Sequence, residues 1–155
     1  MTKILALWNK QTLPIKDGIY FSTGESISLS AQFYPQLLIK KGKQFNLNLF
    51  LDKDPDNITN IDITKKITIT NGNQCFLGEG SYGSEGFIAY LTPKDDLKWV
   101  IYFETSNPFI NATELPNHFL IVESSADFKI VIELNNPINL ILTKFDINNL
   151  AISYI

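Results

Sequence analysis

A run of glycines near the middle of the chain has the spacing of a phosphate-binding loop. Residues 78–83 read Gly-Glu-Gly-Ser-Tyr-Gly, a GxGxxG pattern whose backbone N–H groups cover nucleotide phosphates in other proteins. A dinucleotide-binding loop opens a helix, whereas residues 86–91 here are a largely apolar run typical of a strand. The lysine and aspartate motifs that accompany such a loop in kinases do not occur in the sequence. We therefore expect a glycine-rich connection between two strands.

Three aspartates at alternate positions could bind calcium. Asp52, Asp54 and Asp56 match the first, third and fifth positions of an EF-hand loop. The twelfth position, where that loop needs a bidentate glutamate, is Ile63. The sequence therefore predicts a solvated acidic loop between strands and no metal site. A second interpretation makes this loop part of an acidic contact surface for a basic protein.

The chain is poor in side chains that perform catalysis. His118 is the only histidine, so the multi-histidine sites of zinc enzymes are excluded, and no serine and acid are placed to complete a triad with it. Cys75, the only cysteine, is expected to be buried in a strand. Glycoside hydrolysis needs two carboxylates at a set distance. Such a pair could come from Glu79, Glu85, Glu104 and Glu123, and the sequence does not give the distances between them. We expect no enzyme activity and no cofactor.

The charged residues comprise 13 lysines, no arginine and 16 carboxylates, which gives a net charge of −3. Arginine is the side chain that binds phosphates and guanine edges through two N–H groups at once. An acidic chain without arginine is therefore not expected to bind DNA or RNA. Its surface suits a basic protein partner instead, and no small-molecule substrate is expected.

Short runs of alternating apolar and polar residues recur along the whole chain. Alternation with a period of two, in runs rich in isoleucine, valine, threonine and aromatic residues, is typical of strands. Candidate strands lie at residues 4–8, 25–31, 36–40, 44–51, 60–64, 66–70, 74–78, 86–91, 97–104, 117–123, 128–134, 138–143 and 150–154. The sequence therefore predicts an all-β fold, mainly an antiparallel β-sandwich or a partly open barrel.

Helical signals are weak and leave room for one short helix. A turn of helix fits residues 106–116 or residues 146–150. Residues 41–43 (Lys-Gly-Lys) and 71–73 (Asn-Gly-Asn) are interpreted as turns between strands. In residues 97–104 the positions after Lys98 are apolar on both faces of a strand. This pattern predicts a central strand whose aromatic side chains lie in the core.

The length of 155 residues fits one β-rich domain, residues 1–155. The longest apolar stretches, such as residues 99–103, are too short to cross a bilayer. The apolar run at residues 4–8 is too short for a signal peptide, and no small-residue cleavage site follows it. We therefore expect a cytoplasmic protein that does not associate with membranes.

The motifs at positions 76–81, 89, 93 and 99–104 follow one another in an order that resembles one branch of the bacterial contact-dependent growth inhibition (CDI) immunity proteins. In that branch a Leu-Gly-Glu-Gly stretch is followed by a strand, a short acidic turn and a Trp-Val-hydrophobic-Tyr-Phe-Glu strand. Residues 76–81 (Phe-Leu-Gly-Glu-Gly-Ser), Ala89, Pro93 and residues 99–104 (Trp-Val-Ile-Tyr-Phe-Glu) match this order. Residues 119–123 (Phe-Leu-Ile-Val-Glu) are comparable with the Phe-Leu strand that comes next.

The resemblance implies a cytoplasmic, β-rich protein that binds one toxin domain, often a nuclease, and blocks it without catalysis or a cofactor. An acidic inhibitor can steer onto a basic toxin and occupy its substrate groove. Candidate contacts are outer carboxylates and one aromatic anchor: Asp52, Asp54, Asp56, Glu79, Glu85, Glu104 and Tyr82. Glu79 and Glu85 lie in or beside the glycine-rich loop, where we expect exposed side chains, whereas Glu104 ends a buried strand.

Two other functions fit the composition. A carbohydrate-binding β-sandwich module, or a small glycan enzyme, is indicated by the 12% aromatic residues, the 15 asparagines and the acidic loop. Exposed coplanar aromatics in a groove, or calcium-dependent glycan binding, would favour it. A small structural β protein would act through an exposed sheet edge, and a defined oligomer without a small ligand would favour that alternative.

Overall fold

Antiparallel β-sheet makes up most of the computed structural model, which describes residues 1–143 and 153–154. The elements in this part of the chain are α1 (Lys3–Asn9), β1 (Thr12–Pro14), β2 (Gly18–Phe21), β3 (Ser26–Gln32), β4 (Leu38–Phe45), α2 (Leu47–Lys53), β5 (Ile58–Thr68), β6 (Gln74–Gly80), β7 (Gly86–Leu91), β8 (Leu97–Phe103), β9 (Phe109–Leu115), a 3-10 turn (Pro116–His118), β10 (Phe119–Ser124), β11 (Lys129–Glu133), β12 (Leu140–Thr143) and β13 (Ser153–Tyr154).

The strands form two sheets. The large sheet has the order β1-β5-β6-β7-β8-β2-β3-β4, and the small sheet has the order β13-β12-β11-β10-β9. Neighbouring strands pair antiparallel in both sheets. The all-β prediction is confirmed, and the two packed sheets give a sandwich-like architecture.

The inner core lies between the two sheets. Leu77 and Phe103 from the large sheet are fully buried there, together with Leu120 and Ile130 from the small sheet. Cys75 lies in the same core and is 0% exposed, so its prediction as a buried strand residue is confirmed.

The two helices cover the other face of the large sheet. Ile4 and Leu7 from α1 and Leu47 and Leu51 from α2 form a second core with this face. The large sheet is therefore buried on both sides, which explains why its middle strands are apolar at consecutive positions. The predicted central strand at residues 97–104 is confirmed, because β8 lies between β7 and β2 and its aromatics are buried.

The segment at residues 4–8 was predicted as a strand and is the helix α1. Its apolar run is too short for the sequence to distinguish the period of a helix, 3.6 residues, from that of a strand, two residues. Ile4 and Leu7 are three residues apart, which places them on one helical face, and both are buried against the sheet.

The predicted strand at residues 44–51 is divided between the end of β4 and the helix α2. Asn46 is the N-cap, and its Oδ1 accepts a hydrogen bond of 3.1 Å from the backbone N–H three residues later. Leu47 and Leu51 are four residues apart and are buried on one face of the helix. The same leucines also fit a period of two, which is why the strand prediction was wrong.

Residues 41–43 form part of the edge strand β4 and not the predicted turn. The register of β4 with β3 shifts at this point, as in a β-bulge. A Cβ on Gly42 would lie 2.3 Å from Ser28 Oγ, so the bulge requires glycine. Lys40, Lys41 and Lys43 are exposed along the edge of the sheet, where charged side chains discourage edge-to-edge pairing.

The remaining differences concern short or polar segments. The strands β1, β2 and β9 were not predicted, and β9 replaces the helical turn expected within residues 106–116. The turn at residues 71–73 is confirmed, since Gly72 has a φ of 90° and its N–H donates to the carbonyl oxygen of Ile69. The candidate helix at residues 146–150 lies outside the described residues, as does the beginning of the candidate strand at 150–154. Over the residues described, no helix has the length and apolar character needed to cross a membrane.

Candidate functional site

Four connections meet at one end of the large sheet and line a cavity of about 370 Å³. These connections are β1–β2, α2–β5, β6–β7 and β8–β9, and they contribute Ile15, Asn57, Tyr82, Ser84, Glu85 and Glu104. Three of these residues, Tyr82, Glu85 and Glu104, are contacts predicted from the sequence. The fold therefore brings part of the predicted site together from segments that are far apart in the chain.

Glu85 is only 1% exposed, so the expectation of an exposed contact residue is wrong. Thr59 Oγ1 and the backbone N–H of Tyr82 each donate to Glu85 Oε1 at 3.0 Å, and the hydroxyl of Tyr102 donates to Oε2. A buried carboxyl group needs such donors because it has lost its water. Burial is the main cause that raises the pKa of Tyr102 well above its ordinary value, and the hydrogen bond to Glu85 is the second. The phenol of Tyr102 therefore stays protonated and donates. Glu85 thus ties the β6–β7 loop to β5 and β8.

The glycines of the GxGxxG run each have a structural reason. A Cβ on Gly78 would lie 1.9 Å from the carbonyl oxygen of Asp62 on β5, and a Cβ on Gly80 would lie 2.2 Å from Glu85 Oε1. Gly83 has a φ of 77°, a conformation that disfavours any side chain. The prediction of a glycine-rich connection between strands is confirmed, because the run ends β6 and turns toward β7.

Asp17 does not line the cavity but adjoins it through Glu104, which does. Asp17 Oδ1 accepts a hydrogen bond of 2.7 Å from the backbone N–H of Glu104, whose side chain is exposed at the cavity. Burial raises the pKa of Asp17 from 3.8 to about 6, and the nearby charge of Glu104 adds to this rise. The Glu104 N–H and the charge of Lys16 act in the opposite direction. A cationic group placed near these two residues would therefore be attracted by both carboxylates.

The raised pKa of Asp17 predicts a pH-dependent stability. Between pH 3.8 and about 6 the folded protein holds a proton that the unfolded chain has released. The free energy of unfolding therefore falls as the pH rises through this window. Above the window the whole loss of stability caused by Asp17 is present. The variant Asp17→Asn keeps an oxygen for the Glu104 N–H but does not titrate. We expect its melting temperature, relative to that of the wild type, to increase as the pH rises from 3.8 to about 6.

The matched control for this pH series is Asp62→Asn, which replaces an exposed aspartate on β5. Its melting temperature relative to the wild type should not follow the same curve. A difference between Asp17→Asn and the wild type that stays constant across the window would contradict the assignment to Asp17.

Tyr82 is 70% exposed and is the aromatic side chain at the opening of the cavity. Its backbone N–H is held by Glu85, and the N–H of the preceding Ser81 donates to Thr59 Oγ1 at 3.0 Å. The backbone of the loop is therefore fixed while the ring faces solvent. Such an arrangement suits an anchor residue, because little conformational freedom is left to lose on binding.

None of the three aspartates lines the cavity, although the residue after Asp56, Asn57, does. Asp52 is the penultimate residue of α2, and Asp54 caps the end of that helix, so the expectation of a loop between two strands is wrong. Asp52, Asp54 and Asp56 are all exposed, as predicted. The segment is held by two backbone hydrogen bonds, from the N–H of Asn57 to the carbonyl of Asp54 at 3.1 Å and from the N–H of Ile15 to the carbonyl of Asn57 at 2.9 Å.

Glu79 does not belong to the cavity. A Cβ on its neighbour Gly80 would meet the carboxyl group of Glu85, and successive residues of a strand point to opposite faces. Glu79 therefore points to the other face of the sheet, where it is half-buried and lies opposite Asp62 of β5.

Cys75 and His118 are placed in different environments. Burial raises the pKa of the Cys75 thiol to about 12, so it is not a nucleophile at neutral pH. His118 is exposed in the 3-10 turn before β10 and does not start a strand as predicted. Within residues 1–143 and 153–154, no three histidine, cysteine, aspartate or glutamate side chains are grouped to hold a metal ion.

The lining residues Ile15 and Asn57 and the adjoining Asp17 were not predicted from the sequence. Asp17 precedes Gly18 at the start of the short strand β2, and an Asp-Gly pair is a turn signal that marks only a loop. Its meeting with Glu104, 87 residues later, follows from the pairing of β2 with β8.

Comparisons of the chain with protein-family models, with curated proteins and with solved structures give no match. The resemblance to CDI immunity proteins therefore stays a prediction.

Proposed function

We propose that this protein is an immunity protein that binds the C-terminal toxin domain of a contact-dependent inhibition system and neutralises it. The partner is a basic domain, with nuclease activity as the leading class, and the complex forms in the cytoplasm. The protein acts by covering the toxin and catalyses no reaction.

The observation that carries this proposal is the composition of the cavity rim. Tyr82 and Glu104 are exposed and line this cavity, and Asp17 accepts a hydrogen bond from the Glu104 N–H. Exposed Asp56 is the chain neighbour of Asn57, another lining residue, and the carbonyl oxygen of exposed Asp54 accepts a hydrogen bond from the Asn57 N–H. Aromatic anchors surrounded by polar groups dominate the binding energy of many interfaces. Carboxylates around such an anchor attract a basic partner and orient it.

The cavity also suggests how the two surfaces would meet. A lysine or arginine side chain of the toxin would place its charge near Asp17 and Glu104. Its aliphatic part would pack against Ile15 and the ring of Tyr82. If that cation belongs to the toxin's substrate groove, its capture blocks the substrate directly.

The experiment starts from the reading frame immediately upstream of the gene. Its C-terminal domain is purified and titrated against the protein by calorimetry, and the activity of the toxin on nucleic acid is measured with and without the complex. We expect a saturable complex with loss of toxin activity, and weaker binding at higher salt. The absence of a measurable complex would reject the proposal.

Of the alternatives, carbohydrate binding has an observation in its favour, a second and larger cavity at the opposite end of β2, described below. The alternative of a structural β protein is less favoured. The exposed edge of the large sheet carries three lysines, a pattern that opposes edge pairing.

A further inference from the structure

We propose that a second, independent site binds a small neutral saccharide. It is a cavity of about 570 Å³ where the start of α1, the β2–β3 turn and the junction between β4 and α2 meet. This volume falls in the range of about 300–1,000 Å³ that is usual for small-molecule sites. The β1–β2 connection contributes Ile15 to the first cavity, whereas the β2–β3 turn contributes Thr23 and Gly24 to the second. The two cavities therefore lie at opposite ends of β2 and share no lining residue.

The cavity has an apolar floor and a polar rim. Ile4, Phe45 and Leu47 line it from the core side and are buried or half-buried. The exposed side chains at the rim are mainly amides and a hydroxyl, from Gln44, Asn48 and Thr23. A floor that contacts C–H groups and a rim that exchanges hydrogen bonds match the two kinds of surface on a sugar ring.

Ser26 forms part of the wall of this cavity. The residue is 2% exposed and lines the cavity, and its hydroxyl has no hydrogen-bond partner in the described part of the chain. In that same part no fully buried side-chain oxygen or nitrogen lacks a partner, and this agrees with a Ser26 hydroxyl that borders the cavity. A hydroxyl that is almost enclosed and free to bond is a ready partner for a hydroxyl of a ligand.

The charges at this site favour a neutral ligand. Lys3 and Glu25 are the charged residues among the lining side chains, and their charges cancel. Glu25 would repel an anion, and Lys3 would repel a cation. The amides and hydroxyls of the rim can both donate hydrogen bonds to the hydroxyls of a sugar and accept them.

The walls are fixed before any ligand binds. Thr2 Oγ1 donates to the carbonyl oxygen of Ser22 at 2.9 Å, which joins the beginning of α1 to the β2–β3 turn. The turn itself is closed by a hydrogen bond of 2.9 Å from the N–H of Gly24 to the carbonyl of Phe21, and Gly24 has a φ of 112°. Ser26 is paired with Phe45 across β3 and β4. A site that needs little reordering loses little entropy on binding.

The test is an NMR titration of the isotope-labelled protein with cellobiose, lactose and N,N′-diacetylchitobiose, each to about 20 mM, a range that covers weak sugar binding. We expect at least one of them to shift the backbone amide signals of Thr23, Gly24, Ser26 and Asn48 in a saturable way. The variants Ser26→Ala and Gln44→Ala should each weaken the affinity by about tenfold. The matched control is Gln36→Ala, an exposed glutamine in the β3–β4 connection outside the cavity, which should bind as the wild type does.

Three results would overturn this site. The first is the absence of saturable shifts with all three disaccharides. The second is a set of shifts confined to other parts of the protein, and the third is binding that Ser26→Ala and Gln44→Ala leave unchanged. Because the two cavities share no residue, these variants should retain the affinity for the toxin domain, and failure here is distinguishable from failure of the immunity function.

Discussion

Replacing Glu85 by alanine is expected to lower the free energy of unfolding by about 3–5 kcal/mol. The substitution removes the acceptor for three donors, the hydroxyls of Thr59 and Tyr102 and the backbone N–H of Tyr82. Thr59 and Tyr102 are buried, so their hydroxyl groups would lose the acceptor that the fold provides for them. The measurement is urea unfolding followed by tryptophan fluorescence, for which Trp99 in the core is a suitable probe.

Two variants separate this network from a general effect of removing a glutamate. Glu85→Gln preserves the shape and one acceptor oxygen, so its loss of stability should be smaller than that of Glu85→Ala. Glu79→Ala removes a half-buried glutamate from the opposite face of the sheet, with an expected cost below about 1 kcal/mol. A Glu85→Ala protein as stable as Glu79→Ala would show that the carboxyl group does not hold the loop.

The variant Tyr82→Ala is expected to weaken binding to the toxin domain by about 30-fold, which corresponds to about 2 kcal/mol for an aromatic anchor. Its melting temperature should stay close to that of the wild type, because the ring is 70% exposed in the free protein. Calorimetric titration of both proteins against the same toxin domain, together with thermal unfolding, checks the two parts of this prediction.

The chain offers matched controls for the binding experiment. Tyr34 is 89% exposed in the β3–β4 connection, so Tyr34→Ala removes a comparable ring at a different place and should bind normally. Glu104→Gln should weaken binding and reduce its dependence on salt, whereas Glu25→Gln, at the other end of β2, should do neither. Equal losses from Tyr34→Ala and Tyr82→Ala would place the interface elsewhere.

Glu85 and Tyr82 both belong to the β6–β7 loop, and they have different roles in it. Tyr82 is presented by a backbone that Glu85 holds through the Tyr82 N–H. We therefore class Glu85 as a positioning residue and Tyr82 as a contact residue. Loss of the first should reduce stability and binding together, and loss of the second should reduce binding alone.

The middle strands of the large sheet are the elements that sequence patterns predicted best. The predicted bounds of residues 86–91 are those of β7, and residues 97–104 match β8 to within one residue. Both strands are buried on two faces, so consecutive apolar residues are a requirement of their position. The helices α1 and α2 were not predicted, because a short run with leucine or isoleucine at close intervals fits the period of a strand as well as that of a helix. Packing against the large sheet determines that these two segments are helical.

The amino-acid pattern alone indicated the fold class and the local character of two segments. Alternation of apolar and polar residues with a period of two indicated β-structure. The residues around Cys75 indicated that it is buried in a strand, and the apolar run after the glycine-rich segment indicated a connection between two strands. Only the tertiary structure decided that Glu85 is enclosed while Glu104 is exposed, and that Asp17 meets Glu104 across 87 residues. The physical reason is that alternation specifies which way a side chain points. The burial and the pKa of a carboxyl group depend instead on donors and charges that other strands bring to it.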